Sequence, residues 1–311
     1  MMVEANNVGI YSSRIVKTLT KTLAYYFLLC SFSSAATDDL ISKGTQAYQS
    51  GTFDVAVTYW REALEAPRTL NEAVQLSIQL AHALQAQGQI EEAAQVLKKS
   101  VALENLSYEQ LAVLHATLSA FHLLLDQPET AGRYLEQIDF SALTESPAIA
   151  ALMHYTQAQV MGAQGYTRQV EEHYQRAITW AEQSSDKVLQ CKSYLALALI
   201  KTEQGPLEHA VNCLKALPDS YEKHSLMLSM SHQLHRQQKA YSIQHSLFQQ
   251  ILKFAESSGQ GFLSAYAYGY LGKLYEARGR FSEAIPLMRQ AIFQARKHAP
   301  TSILIGRASY S

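Results

Sequence analysis

The chain has 311 residues, of which 48% are apolar, 17% charged and 10% aromatic. This composition excludes a disordered segment and a collagen-like fibre. The 26 Lys and Arg residues nearly balance 27 Asp and Glu residues, so no net basic field is available to hold a nucleic acid backbone. Three cysteines without a C-x-x-C pair exclude a disulfide framework and the common zinc and redox motifs.

Residues 1–36 have the pattern of a secretory signal peptide. Three basic residues precede the apolar run Leu23–Phe32, and small residues follow it up to Ala36. The run spans about ten residues, well short of the roughly 20 that cross a bilayer as a helix. We therefore expect cleavage after Ala36 and export to the periplasm or the extracellular space, with an uncleaved anchor as the alternative. No later apolar run is long enough to predict a transmembrane segment after cleavage.

One pattern of small, turn and aromatic residues recurs from Thr37 onward. Its clearest copies read GTQAYQSGTFDVAVTYWREA, beginning at Gly44, and GKLYEARGRFSEAIPLMRQA, beginning at Gly272. Turn positions at 51, 88, 126, 165 and 205 are 37, 38, 39 and 40 residues apart. The next glycine turn, at 279, leaves room for a degenerate copy over residues 219–258. These spacings predict about seven copies.

Each copy is predicted to be a helix, a tight turn and a second, antiparallel helix. A glycine at the turn supplies the left-handed conformation that ends the first helix. Small residues at facing positions, such as Gly44 and Ala56, let two helix backbones approach closely. Capping boxes are predicted at Thr69 and Ser107. Because one pair cannot bury its own apolar face, the copies must stack.

The spacing of Gly or Ala, Tyr, Gly, aromatic, Ala, aromatic and Ala resembles the tetratricopeptide repeat. The resemblance covers nearly all of residues 37–298, and the long period resembles the subclass with extended helices. It implies an all-α solenoid, a right-handed superhelix of about seven helix-turn-helix units over residues 37–298. Residues 299–311 would then form an uncapped C-terminal tail.

Chemical signatures are few in this sequence. It contains no Walker loop, no G-x-G-x-x-G, no G-x-S-x-G and no H-E-x-x-H. His232 and His235 could share a helix face, but further metal ligands could only be guessed at His224 or His245, so we interpret all four as surface or hydrogen-bonded histidines. We predict a protein that is not an enzyme and has no catalytic, metal or cofactor site.

Cys191 and Cys213 are 22 residues apart, on separate predicted helices among Leu and Ala residues. In such surroundings a thiol behaves as a small apolar group. We therefore expect both cysteines to be unpaired core residues rather than a disulfide.

The resemblance to the repeat family places partner-binding residues on the first helix of each unit, which lines the concave side. A clamp for a peptide carboxylate is disfavoured because Ile41 and Thr45 stand where chaperone-binding members of the family have polar clamp residues. The candidate partner-binding residues are Tyr48, Gln49, His82, Gln85, Tyr155, Gln159, Lys192, Thr202, Glu203, Tyr266, Lys273 and Glu276.

The leading hypothesis is an exported, non-enzymatic scaffold that binds a peptide or a partner helix in its concave groove. The alternative is the sensor region of a larger effector. The ending after His298 resembles that of bacterial repeat regions followed by a caspase-like CHAT peptidase domain, of which this sequence contains no peptidase residues. An assembly factor of the outer membrane or cell wall would differ from the first hypothesis only in its partner.

Overall fold

A computed structural model of the chain describes residues 37–201, 204–236 and 240–298. These residues contain fourteen α-helices, one short 3-10 helix and no strand. The predicted all-α solenoid is therefore confirmed over the described ranges. The expected signal peptide, residues 1–36, and the expected tail, residues 299–311, lie outside the described residues.

The helices follow one another as seven helix pairs, which we call units one to seven. Within a unit the two helices pack on each other, and each second helix is followed by the first helix of the next unit. Units one to four are α1 (residues 37–49) and α2 (Phe53–Leu64), α3 (Leu70–Ala86) and α4 (Ile90–Val101), α5 (Tyr108–Leu124) and α6 (Pro128–Leu135), α7 (Pro147–Ala163) and α8 (Thr167–Gln183). Units five to seven are α9 (Lys187–Ile200) and α10 (Gln204–Ala216), α11 (Tyr221–Arg236) and α12 (Tyr241–Ser257), α13 (Gly261–Glu276) and α14 (Phe281–His298).

Left-handed residues make the turns inside most units. Gly51, Gly88, Gly165 and Gly279 have φ values of 76°, 80°, 85° and 70°, and Asp126 takes the same role in unit three with φ of 58°. Four of the five predicted turn glycines are thereby confirmed.

The fifth glycine turn is wrong. Gly205 lies in the first turn of α10, and α9 ends before it with Lys201 in an extended conformation. In the degenerate unit six, which the structure confirms as a helix pair, Ala240 supplies the left-handed turn with φ of 53°. The prediction failed at Gly205 because a glycine does not have to form a turn, and in unit six the turn forms without one.

Two helix starts show the predicted side-chain caps. Ser107 accepts a hydrogen bond from the amide of Gln110, whose side chain accepts one from the amide of Ser107, a complete capping box. The hydroxyl of Thr69 accepts a hydrogen bond from the amide of Glu72. The Glu72 carboxylate accepts one from the guanidinium of Arg68 rather than from the amide of Thr69, so this capping box is incomplete. Each cap satisfies a helix N–H that would otherwise lack a partner.

Small residues hold the paired helices close together, as predicted. A Cβ atom added to Gly44 would lie only 2.5 Å from the indole ring of Trp60, and one added to Gly272 would lie 2.9 Å from Cγ of Met288. Facing Gly44 and Gly272, Ala56 and Ala284 are buried. A side chain packed directly on a glycine leaves no room for a larger residue at that position.

The structure joins Cys191 and Cys213 in a disulfide, so the expectation of two unpaired cysteines is wrong. Their Cα atoms lie 5.4 Å apart, across the two helices of unit five. Cys191 is fully buried and Cys213 half-buried, so both still pack in the core. The prediction failed because sequence separation alone does not show which residues of two antiparallel helices lie side by side. Here the turn between α9 and α10 brings two residues that are 22 positions apart next to each other.

Replacing Gly44 by alanine is expected to destabilise the array by about 1–3 kcal/mol, because the new methyl group overlaps the Trp60 ring. Urea unfolding measures this loss. The matched control is Gly269→Ala in α13, where the added Cβ would lie 3.7 Å from Cβ of Ala291, an ordinary contact. The control should keep or slightly raise stability, since alanine favours a helix. Equal stability of the two variants would contradict the close contact.

Loss of the disulfide is expected to lower the free energy of unfolding by about 3 kcal/mol, because the cross-link restricts the unfolded chain. The double variant Cys191→Ala/Cys213→Ala and the wild type are unfolded in urea with and without dithiothreitol. The reductant should weaken the wild type and leave the variant unchanged. Alkylation of both thiols in the oxidised native protein, before any reduction, would contradict the pairing.

Candidate partner-binding groove

Several predicted concave residues meet inside the coil, although they come from units far apart in sequence. Nζ of Lys192 on α9 lies 3.3 Å from Oε1 of Glu222 on α11. The charges of Lys192 and Glu222 both affect the pKa of His82 on α3. The charge of Glu222 also raises the pKa of Tyr48 on α1. We call this group the inner cluster; its members are Tyr48, His82, Lys192, Tyr221, Glu222 and Tyr266.

Aromatic rings join the first unit to units six and seven. The ring centroids of Tyr48 and Tyr221 are 5.9 Å apart, and those of Phe53 and Phe262 are 5.5 Å apart, both edge to face. Beside them the side-chain amide of Gln260 donates a hydrogen bond to the carbonyl of Gln49. We call these contacts the aromatic clasp. Through the clasp the array curls until its first unit touches its last two.

Solvent reaches the inner cluster unevenly. His82 and Glu222 are exposed, whereas Tyr48, Tyr221 and Tyr266 are half-buried. Desolvation lowers the pKa of His82 even though water can still reach its ring, because protein surrounds it on the inner wall. The positive charge of Lys192 lowers this pKa further, while Gln85 and Glu222 oppose the shift. Near pH 7 the imidazole is therefore neutral.

Burial also raises the pKa of the tyrosines in the clasp. Desolvation is the main cause for both Tyr48 and Tyr221, and the negative charge of Glu222 adds to it at Tyr48. Both phenols stay protonated and can donate a hydrogen bond to a ligand. The inner cluster thus offers neutral aromatic and imidazole surface beside one ion pair.

The candidate residues of unit four form a separate group. Nε2 of Gln159 donates to the hydroxyl of Tyr155 at 3.2 Å, and the Tyr155 ring packs 5.7 Å from that of Tyr174. Burial raises the pKa of Tyr155 to about 12. No contact joins this pair to the inner cluster in the described structure.

Of the remaining candidate residues, Gln85 contacts the inner cluster through His82. Gln85 is half-buried, with Oε1 lying 3.4 Å from Nδ1 of His82. Lys273 and Glu276 are exposed near the end of α13. Thr202 and Glu203 lie outside the described residues.

Tyr221, Glu222 and Phe262 are residues of the groove that the sequence did not indicate. Tyr221 and Glu222 open the degenerate unit six, where the repeat register was uncertain, and Phe262 opens α13. Their role depends on which distant unit they meet. The repeat period does not predict which distant units meet, because that contact depends on the curvature summed over the intervening units.

The histidines considered as metal ligands are used separately in packing and hydrogen bonds. His232 and His235 place their rings 4.9 Å and 6.4 Å from Tyr270, while His224 stacks on Phe254 at 3.9 Å. The described ranges contain no group of three or more His, Cys, Asp or Glu side chains arranged to hold a metal ion.

One further histidine pair lies between α7 and α8. Nδ1 of His154 is 3.0 Å from Nδ1 of His173. Desolvation, followed by the nearby His173 and Arg176, lowers the pKa of His154 to about 4. The pair is therefore neutral near pH 7, with one ring donating to the other. His154 is buried and His173 half-buried.

None of the helices in the described ranges is both long enough and apolar enough to span a membrane.

Comparison with known proteins agrees with this geometry. Residues 74–99 and 267–301 each match a family model described as tetratricopeptide repeat. The apo form of RapI shares 14% identity, with 93% of this chain and 95% of that chain covered and a TM-score of 0.50. A STAND signal-transduction ATPase with a tetratricopeptide repeat sensor, from Pyrococcus horikoshii, shares 12% identity over 89% of this chain and 44% of that chain, with a TM-score of 0.52. No protein of curated function matches the sequence significantly.

The stacked helix pairs, their turns and their small facing residues define a helical repeat solenoid. Two of its segments, residues 74–99 and 267–301, match models of the tetratricopeptide repeat, so the chain carries repeats of this kind. This fold indicates a scaffold for protein partners, and repeat proteins of this family are generally not catalysts.

Replacing Tyr221 by alanine is expected to open the coil, because it removes the ring contacts to Tyr48 and Phe53. Stability should fall by about 2–4 kcal/mol, as for other large-to-small aromatic substitutions. Small-angle X-ray scattering should show a larger radius of gyration with unchanged helix content. Tyr166→Ala is the control, since this ring is 58% exposed and makes no ring contact in the described structure. An unchanged radius for Tyr221→Ala would contradict closure by the clasp.

Proposed function

We propose that the chain is an exported, non-enzymatic scaffold that binds an extended peptide or a partner helix in its groove. The observation that carries this proposal is the inner cluster, to which five of the seven units contribute. It combines half-buried aromatic rings with exposed polar groups, the composition typical of a protein-binding surface.

The geometry favours a narrow partner segment. The charges of Lys192 and Glu222 both act on the pKa of His82, so the imidazole lies near this ion pair. We expect a single extended strand or helix to contact these groups together. The ion pair offers one positive and one negative anchor for the polar groups of such a segment.

Export is the second element of the proposal. It rests on the signal-peptide pattern of residues 1–36. The disulfide supports it, because such bonds persist in oxidising compartments and are rare in the cytosol. The proposal predicts that the native protein begins at Thr37, which N-terminal sequencing tests.

The alternative function is the sensor region of a larger effector with a CHAT-type peptidase domain. The exposed apolar residues Phe281, Ile285 and Phe293 on α14 favour this alternative, because a following domain could cover them. The intact mass of the native protein separates the two functions. A mass matching residues 37–311 supports the self-contained scaffold, and a larger mass supports the effector.

Replacing both His82 and Lys192 by alanine is expected to reduce the capture of native partners at least tenfold, because both side chains face the groove. Captured proteins are quantified by mass spectrometry after incubation of immobilised protein with extract of the source organism. Arg176→Ala is the control, since this exposed guanidinium lies on the second helix of unit four and pairs with neighbouring Glu172. Thermal unfolding checks that both variants keep the fold. Equal capture by the groove variant and the wild type would overturn the proposal.

A further inference from the structure

Three tyrosines from distant units converge in the inner cluster. The ring centroids of Tyr48 and Tyr221 are 5.9 Å apart, and Tyr266 lies close enough to raise the pKa of Tyr221. All three side chains are half-buried. Within the described residues the hydroxyls of Tyr48 and Tyr221 have no hydrogen-bond partner, and both phenols stay protonated near pH 7. The groove therefore carries two phenolic donors that no described side chain or carbonyl uses.

Beside these phenols, aromatic rings form a row along α13. Phe262, Tyr266 and Tyr270 follow one another at intervals of one helical turn, so they share one side of the helix. Neighbouring ring centroids in the row are 4.8 Å and 6.4 Å apart, and all three rings are half-buried. The row is about 12 Å long, which is the rise of eight helical residues. It gives the groove an apolar wall next to the two donors.

The side-chain acceptors of the inner cluster already have partners. The carboxylate of Glu222 lies 3.3 Å from Nζ of Lys192, and Oε1 of Gln85 lies 3.4 Å from Nδ1 of His82. The charges of Lys192 and Glu222 balance each other, and desolvation keeps His82 neutral near pH 7. The wall of the groove is therefore aromatic and without net charge, and it offers unused donors while its acceptors are engaged. Such a wall suits a ligand with apolar groups and acceptors but few donors.

We propose that the groove binds a proline-rich segment in the polyproline II conformation. This inference rests on the proposed function, because it names the kind of segment that the groove binds. Proline rings pack on aromatic side chains, and segments of this kind dock in aromatic-lined grooves. Proline has no N–H group, and the carbonyls of this conformation make no internal hydrogen bonds, so they can accept from Tyr48 and Tyr221. Four residues of the segment extend about 12 Å, the length of the aromatic row.

Other occupants match this wall less well. A β-strand has an N–H group at almost every residue, and these donors would meet a wall whose acceptors are engaged. An α-helix keeps its carbonyls in its own hydrogen bonds, so it offers the two phenols no backbone acceptor. A flat sugar ring could stack along Tyr266 and Tyr270, whose planes differ by 20°, but Phe262 is inclined by 61° to Tyr266. A polyproline helix has three residues per turn and presents its rings in several directions, which suits tilted neighbours.

The first test measures binding of a labelled peptide of about ten prolines to the full chain by fluorescence anisotropy. We expect saturable binding that is at least tenfold tighter than that of a Gly-Ser peptide of equal length, which has an N–H group at every residue. Because the contacts are uncharged, raising the salt concentration from about 50 mM to about 500 mM should change the affinity less than twofold. Equal affinity for the two peptides, or no binding of the proline peptide, would overturn the proposal.

A second test removes the two donors and keeps the rings. In Tyr48→Phe/Tyr221→Phe the aromatic clasp retains its contacts, so thermal unfolding should show a folded protein. The affinity for the proline peptide should fall at least fivefold, because the peptide carbonyls lose both phenols. Tyr166→Phe is the matched control and should bind as the wild type does, since this tyrosine is 58% exposed on unit four. Unchanged affinity in the folded double variant would contradict recognition by the phenols.

Competition separates this inference from the proposed function. Native partners are captured on immobilised wild-type protein with and without an excess of the proline peptide, and on His82→Ala/Lys192→Ala. We expect the peptide to displace the same partners that the alanine variant fails to capture. If the variant loses partners that the peptide does not displace, the groove binds another kind of segment, and this inference fails while the proposed function stands. If the variant captures every partner as the wild type does, both fail.

Discussion

Close packing of the two helices within a unit is the constraint on which the rest of this structure depends. Because Gly44 and Gly272 have no side chain, Trp60 and Met288 of the facing helix pack directly on their backbones. Each unit is therefore thin on one side, and stacking thin units makes the array curve. All later features of the molecule, including the groove and its closure, follow from this curvature.

The curvature has a definite end point, which is the aromatic clasp. Phe53 and Tyr48 meet rings from α11 and α13, so the first unit is partly buried by the sixth and seventh. Repeat arrays normally contact only their nearest neighbours in the stack. Here the aromatic clasp joins unit one to units six and seven, so the two ends of the array contact each other directly.

The two ends of the array differ in how much of their surface other units cover. Unit one is covered by unit two on one side and touched by the clasp on another, whereas α14 keeps an open face. Val57 and Ile285, at the same position of the two clearest copies of the repeat, show the contrast, with one buried and the other half exposed. A protein of this design has two surfaces of different chemistry. The groove is neutral and aromatic apart from one ion pair, and the end face is apolar.

The sequence by itself determined the helical repeat, the number of units and most of the turns, because these depend on local spacing. Small residues at facing positions and glycines with positive φ leave a signal in every clear copy. The degenerate unit six was also predicted, although its turn is made by Ala240 rather than glycine. Gly205 was misplaced because glycine is also tolerated in the first turn of a helix.

Only the tertiary structure decided which residues from different units meet. Tyr48, His82, Lys192 and Tyr266 were predicted separately, but their common site depends on the curvature summed over the whole stack. The partners Tyr221 and Glu222 and the bond between Cys191 and Cys213 follow from the same three-dimensional return of the chain. Local spacing describes each unit, whereas contacts between distant units depend on small rotations that accumulate from one unit to the next.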